Sequence, residues 1–127
     1  MKAQEIKTQL QSIASADDFA ARSLALTDAW STAGAGPEVV EPVLQFMEEY
    51  PVIDFGTPGP LIHFLERFYG QGYEDKLILS IQRRPTSHTL WMLNRLVNGA
   101  RSPDLRQRLI ALMERATINP ADRKSVV

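Results

Sequence analysis

Apolar side chains recur along this chain every three to four residues, the spacing that collects them on one face of a helix. Ile6, Leu10 and Ile13 form one stripe, and Phe19, Leu26 and Trp30 a second with small Ser23 between them. Val39, Val43, Phe46 and Tyr50 form a third, flanked by Val40, Leu44 and Met47, with Glu41, Gln45, Glu48 and Glu49 opposite. Leu61, Phe64, Leu65 and Phe68 make a fourth, and Leu77, Ile78 and Ile81 a shorter fifth. Leu90, Leu93 and Val97 follow, then Leu105, Leu109, Leu112 and Ala116. No segment alternates apolar and polar positions for long enough to mark a strand. The pattern predicts an all-α protein with seven helices.

The breaks between stripes carry their own signals. Ser15 before Asp17 and Asp18 reads as an N-cap with acids in the first turn. Thr57-Pro58, Ser102-Pro103 and Asn119-Pro120 each set a capping side chain before a proline at the first helical position, where the missing N–H costs nothing. Gly34 and Gly36 are expected to end the second helix, Gly70 and Gly72 the fourth, and Gly99 the sixth. Pro51 stops the third, and Pro42 kinks it or marks its first turn. The connections are short, so sequential helices should lie antiparallel.

A weak internal echo aligns residues 78–86 with 109–117, an offset of 31 residues, and residues 61–70 with 90–99, an offset of 29. A period near 30 suits one helical hairpin and suggests a short HEAT-like stack, with an irregular helical bundle as the alternative. At 127 residues the expectation is one domain, 1–127, with an N-terminal helical pair (1–36) followed by hairpin repeats (37–127).

Composition narrows the function. The chain has no cysteine, which removes disulfides, thiolate metal sites and a cysteine nucleophile. Its N-terminus lacks the apolar run of an export signal, and no stretch reaches the roughly 18 apolar residues of a spanning helix. The expected setting is the cytoplasm. The net charge of −1 conceals a division. Residues 1–75 hold twelve acids and four bases, a net −8, whereas residues 76–127 hold ten bases and three acids, a net +7. The two parts either attract each other within the fold or serve charged partners.

The most motif-like stretch, DFGTPGP at residues 54–60, is helix punctuation. A phosphate loop needs a Lys-Ser/Thr pair after its glycines, and a kinase needs far more chain. His63 and His88 are the two residues suited to base catalysis near neutrality, and neither stands in a metal-binding or hydrolase motif. The reading is a protein without catalytic, metal or cofactor residues. Two surfaces are candidates for a partner. One is acidic and surrounds the Gly/Pro corner: Glu48, Glu49, Asp54, Phe55, Glu66, Glu74 and Asp75. The other is basic and aromatic: Arg83, Arg84, His88, Trp91 and Arg95, with Arg101, Arg106, Arg108 and Arg115 extending its charge. Trp and Arg dominate binding energy where a partner desolvates them. Leu90, Leu93 and Val97 take the core face of that helix, leaving Trp91 and Met92 at its edges.

The stretch PVIDFGTPGPLIHFLE…YEDKLILSIQRRPTSHTLWMLNRLVNG resembles small bacterial immunity proteins of polymorphic or contact-dependent toxin systems, which are built from HEAT-like helical hairpins. The resemblance covers about residues 37–116 and rests on helix–turn spacing and the RRPTSHTLWMLNRL segment. It implies a cytoplasmic protein that neutralises a cognate toxin by non-covalent binding, with no cofactor and no membrane. It assigns no contact residue, because such surfaces vary with the toxin. Two alternatives are a helical-repeat protein that binds nucleic acid through residues 76–127, and a non-catalytic scaffold or adaptor.

Overall fold

The computed structural model describes residues 2–56, 58–99 and 102–117, without the side chains of residues 112, 113 and 115–117. Each stripe forms a helix: α1 (Ala3–Ile13), α2 (Phe19–Thr32), α3 (Val40–Glu49), α4 (Pro60–Glu66), α5 (Tyr73–Arg83), α6 (Ser87–Gly99) and α7 (Pro103–Thr117). A 3-10 turn, Pro37–Val39, leads into α3. No strand occurs among the described residues, so the fold is all-α.

Local chemistry sets the boundaries. After α2, the Ala35 N–H bonds Trp30 O (2.9 Å) and the Gly34 N–H bonds Ser31 O (3.0 Å), with Gly34 at φ +76. That pair of bonds is a Schellman ending, which satisfies the last carbonyls at a position where a side chain would be strained. Pro42 lies in the first turn of α3, where no helical N–H is lost, so it causes no kink. At α6 the caps are reciprocal. The Thr89 N–H donates to Thr86 Oγ1 and the Thr86 N–H to Thr89 Oγ1, both at 3.1 Å. Ser102 caps α7 through the Leu105 N–H (3.4 Å), with Pro103 first in the helix, as expected.

Three expected caps differ. The helix expected to start after Ser15 begins only at Phe19, with Asp18 in place of Ser15 at the N-cap position and its carboxylate bonded to Arg22 (2.7 Å). Helix α4 starts at Pro60, not Pro58, with Gly59 as its N-cap. Thr57 and Asn119-Pro120 lie outside the described residues. Gly72, assigned to the end of the fourth helix, instead opens α5, where the Glu74 carboxylate reaches back to the Gly70 N–H at 3.0 and 3.1 Å.

Buried apolar side chains from Ile6 to Leu109 form one core. Helix α1 packs on α3 and α3 on α5; α2 packs on α4; α6 packs against both α5 and α7. Trp30 is buried against the edge of Phe64 (5.8 Å between centroids), and its indole N–H is satisfied by Gln9 Oε1 at 2.6 Å. Truncating such a residue costs about 3–5 kcal/mol. On α6 the core face is Thr89, Met92, Leu93, Leu96 and Val97, with Leu90 only partly covered. Met92, expected at the helix edge, is fully buried, which moves the buried face of α6 round from the predicted one. On α7, Leu109 is buried; the side chains of Leu112 and Ala116 are outside those described.

Candidate functional site on helices α4 and α6

The two surfaces nominated from sequence do not survive as separate patches, because their charges join across the fold. Glu48 is buried on α3 and accepts two bonds from Arg83 of α5: Nε to Oε1 at 2.8 Å and Nη2 to Oε2 at 2.5 Å. Ser80 Oγ adds a third at 2.7 Å. Glu41 sits beside the same arginine at 3.0 Å and beside Lys76 at 3.9 Å. The bonds to Glu48 raise the Arg83 guanidinium further above its already high range. Glu48 is therefore an internal tie, not a contact residue, because a charge leaving water must be paired where it stands.

Phe55 is also withdrawn. Its ring packs into an aromatic cluster with Phe19 (5.5 Å) and Phe46 (6.0 Å). His88, expected to share a face with Trp91 and Arg95, turns its ring edge-on to Phe55 at 4.4 Å, with Nε2 buried. The corner between α3 and α4 is thus anchored from inside. Its glycines explain how the chain closes so tightly: a Cβ on Gly59, at φ +85, would lie 1.7 Å from Phe55 O. Asp54 stays exposed, and its Oδ1 accepts the Gly56 N–H at 2.9 Å. Val52 stands 95% exposed at the same corner.

The remaining nominated acids are dispersed. Glu49 pairs with Lys7 of α1 (3.1 Å), Glu74 holds the turn before α5, and Asp75 is exposed in the first turn of α5. Arg84, Arg106 and Arg108 are exposed; Arg101 lies outside the described residues, as does the Arg115 side chain.

One cluster does combine members of both lists. Arg95 of α6 makes a two-pronged bond with Glu66 of α4, Nε to Oε2 at 2.7 Å and Nη2 to Oε1 at 2.9 Å. The guanidinium also lies 5.4 Å from the centre of the Trp91 ring. Tyr69 donates to Glu66 Oε2 at 3.5 Å, and His63 Nδ1 stands 3.6 Å from Glu66. Below them Tyr73 is fully buried, edge-on to Tyr69 at 5.3 Å, and its hydroxyl has no hydrogen-bond partner. Burial drives the Tyr73 phenol far above its usual range and raises Tyr69 as well; hydrogen bonding to Glu66 raises Arg95.

The arrangement is a partly exposed aromatic–arginine surface held in one geometry. Tyr69 is 43% exposed, Trp91 and Arg95 are half-buried, and Arg95 is fixed from two sides. Aromatic and arginine side chains held in one geometry lose little entropy on contact with a partner. Sequence reasoning found Trp91 and Arg95 but missed both tyrosines. No local pattern marks the tyrosines, because α4 ends at Glu66 and the left-handed Gly70 and Gly72 break the helical phase before Tyr73.

Among the described residues there is no group of three or more His, Cys, Asp or Glu able to hold a metal ion, and no helix long and apolar enough to cross a membrane. The chain matches no known family model, no curated protein and no solved structure.

Proposed function

We propose that this is an immunity-type binding protein, which neutralises a cognate bacterial toxin in the cytoplasm by non-covalent contact through the α4–α6 face. One observation carries the reading: Tyr69, Trp91 and Arg95 share a face on which Glu66 already holds the arginine in place. Tyr, Trp and Arg are the side chains most enriched at the energetic centres of protein interfaces. The resemblance of residues 37–116 to HEAT-like immunity proteins supplies the kind of partner. The packing of α1 on α3, α3 on α5 and α2 on α4 suits a stack of hairpins, in which each helix meets its counterpart in the next repeat.

The exposed acids Glu49, Asp54 and Asp75 fit a secondary role as a steering rim. A negative field speeds encounter with a basic toxin without adding much to affinity. For the nucleic-acid alternative, pairing with carboxylates occupies Arg83 and Arg95, whereas Arg84, Arg106 and Arg108 stay exposed.

The test is co-expression with a candidate cognate toxin domain, sought in the genes adjoining this one. Wild-type protein should restore growth, and Trp91→Ala with Arg95→Ala should abolish protection while remaining helical by circular dichroism. Toxicity unrelieved by the wild-type protein overturns the reading.

A further inference from the structure

Helix α4 also borders a second feature, which meets the first at His63. A cleft of about 330 Å3 lies between α2 and α4, lined by Leu24 and Asp28 on one side and by Pro60, His63, Phe64 and Arg67 on the other. Its surface is mostly apolar, with Leu24 51% exposed. Gly59, whose backbone closes against Phe55, fixes one end of the rim.

Two opposite charges line this space without pairing, beside the exposed His63, whose Nδ1 stands 3.6 Å from Glu66. The exposed Asp28 carboxylate makes no hydrogen bond and no ion pair. Arg67 is held 5.0 Å from the centre of the Phe64 ring and gives one N–H to Ser31 Oγ at 3.2 Å, leaving other donors of its fork available. No ion pair joins Asp28 to Arg67, although both line the cleft.

The choice of occupant follows from this lining. A cationic side chain would satisfy Asp28 and oppose Arg67. An anion would do the reverse, and a purely apolar group would desolvate both charges without return. A zwitterion meets both. We propose that the cleft binds a free apolar α-amino acid of about leucine size, with its ammonium group at Asp28, its carboxylate at Arg67, and its side chain against Leu24, Pro60 and Phe64. Guanidinium and carboxylate are geometrically matched. The volume lies at the small end of ligand pockets, where a few polar groups orient a mainly apolar contact. A ligand of so few atoms in an open cleft should bind with a millimolar dissociation constant.

The inference is independent of the toxin reading. It is tested by titrating the full chain, labelled for amide NMR, with L-leucine, N-acetyl-leucine and leucinamide. Leucine should give saturable shifts at Gly59, His63 and Arg67. The two blocked analogues, each lacking one charge, should bind about tenfold more weakly or worse. Asp28→Asn should erase the preference for leucine over N-acetyl-leucine, and Arg67→Gln the preference over leucinamide. Both changes lie on exposed positions, so the fold is kept. Absence of saturable shifts with leucine overturns the proposal, as does equal binding of all three ligands. Growth protection is unaffected by either result, so the two readings fail separately.

Discussion

Glu48–Arg83 and Glu66–Arg95 are the same chemistry in two settings. Each is a carboxylate gripping a guanidinium by two bonds, and each joins the acidic first part of the chain to its basic end. In the first pair the carboxylate is buried, is shared with Ser80, and lies between α3 and α5. In the second, the pair sits beside an exposed tyrosine and a half-buried tryptophan. Burial is similar in the two pairs: the Glu48 and Glu66 side chains are 8% and 12% exposed, and those of Arg83 and Arg95 44% and 33%. Their neighbours distinguish them, since the first pair is tied to Ser80 and the second stands beside the aromatic side chains that the proposed function uses. The charge division seen in the sequence is therefore partly spent inside the fold.

Stability measurements test both pairs. Glu48→Ala leaves Arg83 and Ser80 without their acceptor in a water-poor position. Because Arg83 is itself 44% exposed and can rehydrate, the loss should be about 2–3 kcal/mol, at or below the usual range for breaking a buried pair. Denaturant unfolding measures it; a loss under about 0.5 kcal/mol would place Glu48 among ordinary surface acids. Arg95→Ala leaves the Glu66 carboxylate, 12% exposed, with the Tyr69 hydroxyl as its donor, and should cost about 1–3 kcal/mol. A loss under about 0.5 kcal/mol would mean that Glu66 is solvated once the arginine is gone.

Tyr73 sharpens the contrast further, because the second pair has a buried hydroxyl beneath it. Tyr73→Phe removes a polar atom with no partner and should stabilise the protein by about 0.5–1 kcal/mol. Destabilisation by a similar amount would mean the hydroxyl is satisfied. The same residue sets an alkaline limit. Its phenol is raised in the folded state above the unfolded value of 10.0, so folding favours the protonated form. That contribution is complete below pH 10 and is lost as pH rises above it. Tyrosinate absorbance should therefore appear with unfolding for Tyr73, and Tyr73→Phe should flatten the alkaline loss. Ionisation of all three tyrosines in the intact fold near pH 10 would contradict this.

The helices were legible because each stripe is local, and seven stripes became seven helices. Caps were legible only in part. Ser102-Pro103 reads correctly, but Asp18, bonded to Arg22, stands in place of Ser15 before α2, and the start of α4 passes to Gly59 because only glycine fits against Phe55 O. The site was far less legible. Glu48 meets Arg83 across 35 positions, and Glu66 meets Arg95 across 29. No local rule specifies such meetings, and the opposite charges of the two chain halves were their only trace. Phe55 looked like a contact residue because its Gly/Pro neighbours mark a loop, yet the loop folds inward around it. Leu24, Asp28 and Arg67 gave no signal at all, since a cleft arises from two helices packing.

The measurement that most directly tests the proposed immunity function is the dissociation rate of a candidate cognate toxin domain from the immobilised protein, compared with each variant's unfolding midpoint. Losing a central Trp or Arg contact costs about 2–4 kcal/mol, so Trp91→Ala or Arg95→Ala should speed dissociation by about thirty-fold or more. For both α6 variants the faster dissociation should exceed what any midpoint change explains, whereas Glu48→Ala should lower the midpoint with little change in dissociation. Wild-type dissociation from both α6 variants, while Glu48→Ala or the exposed acids control release, would contradict the assignment of the α4–α6 face.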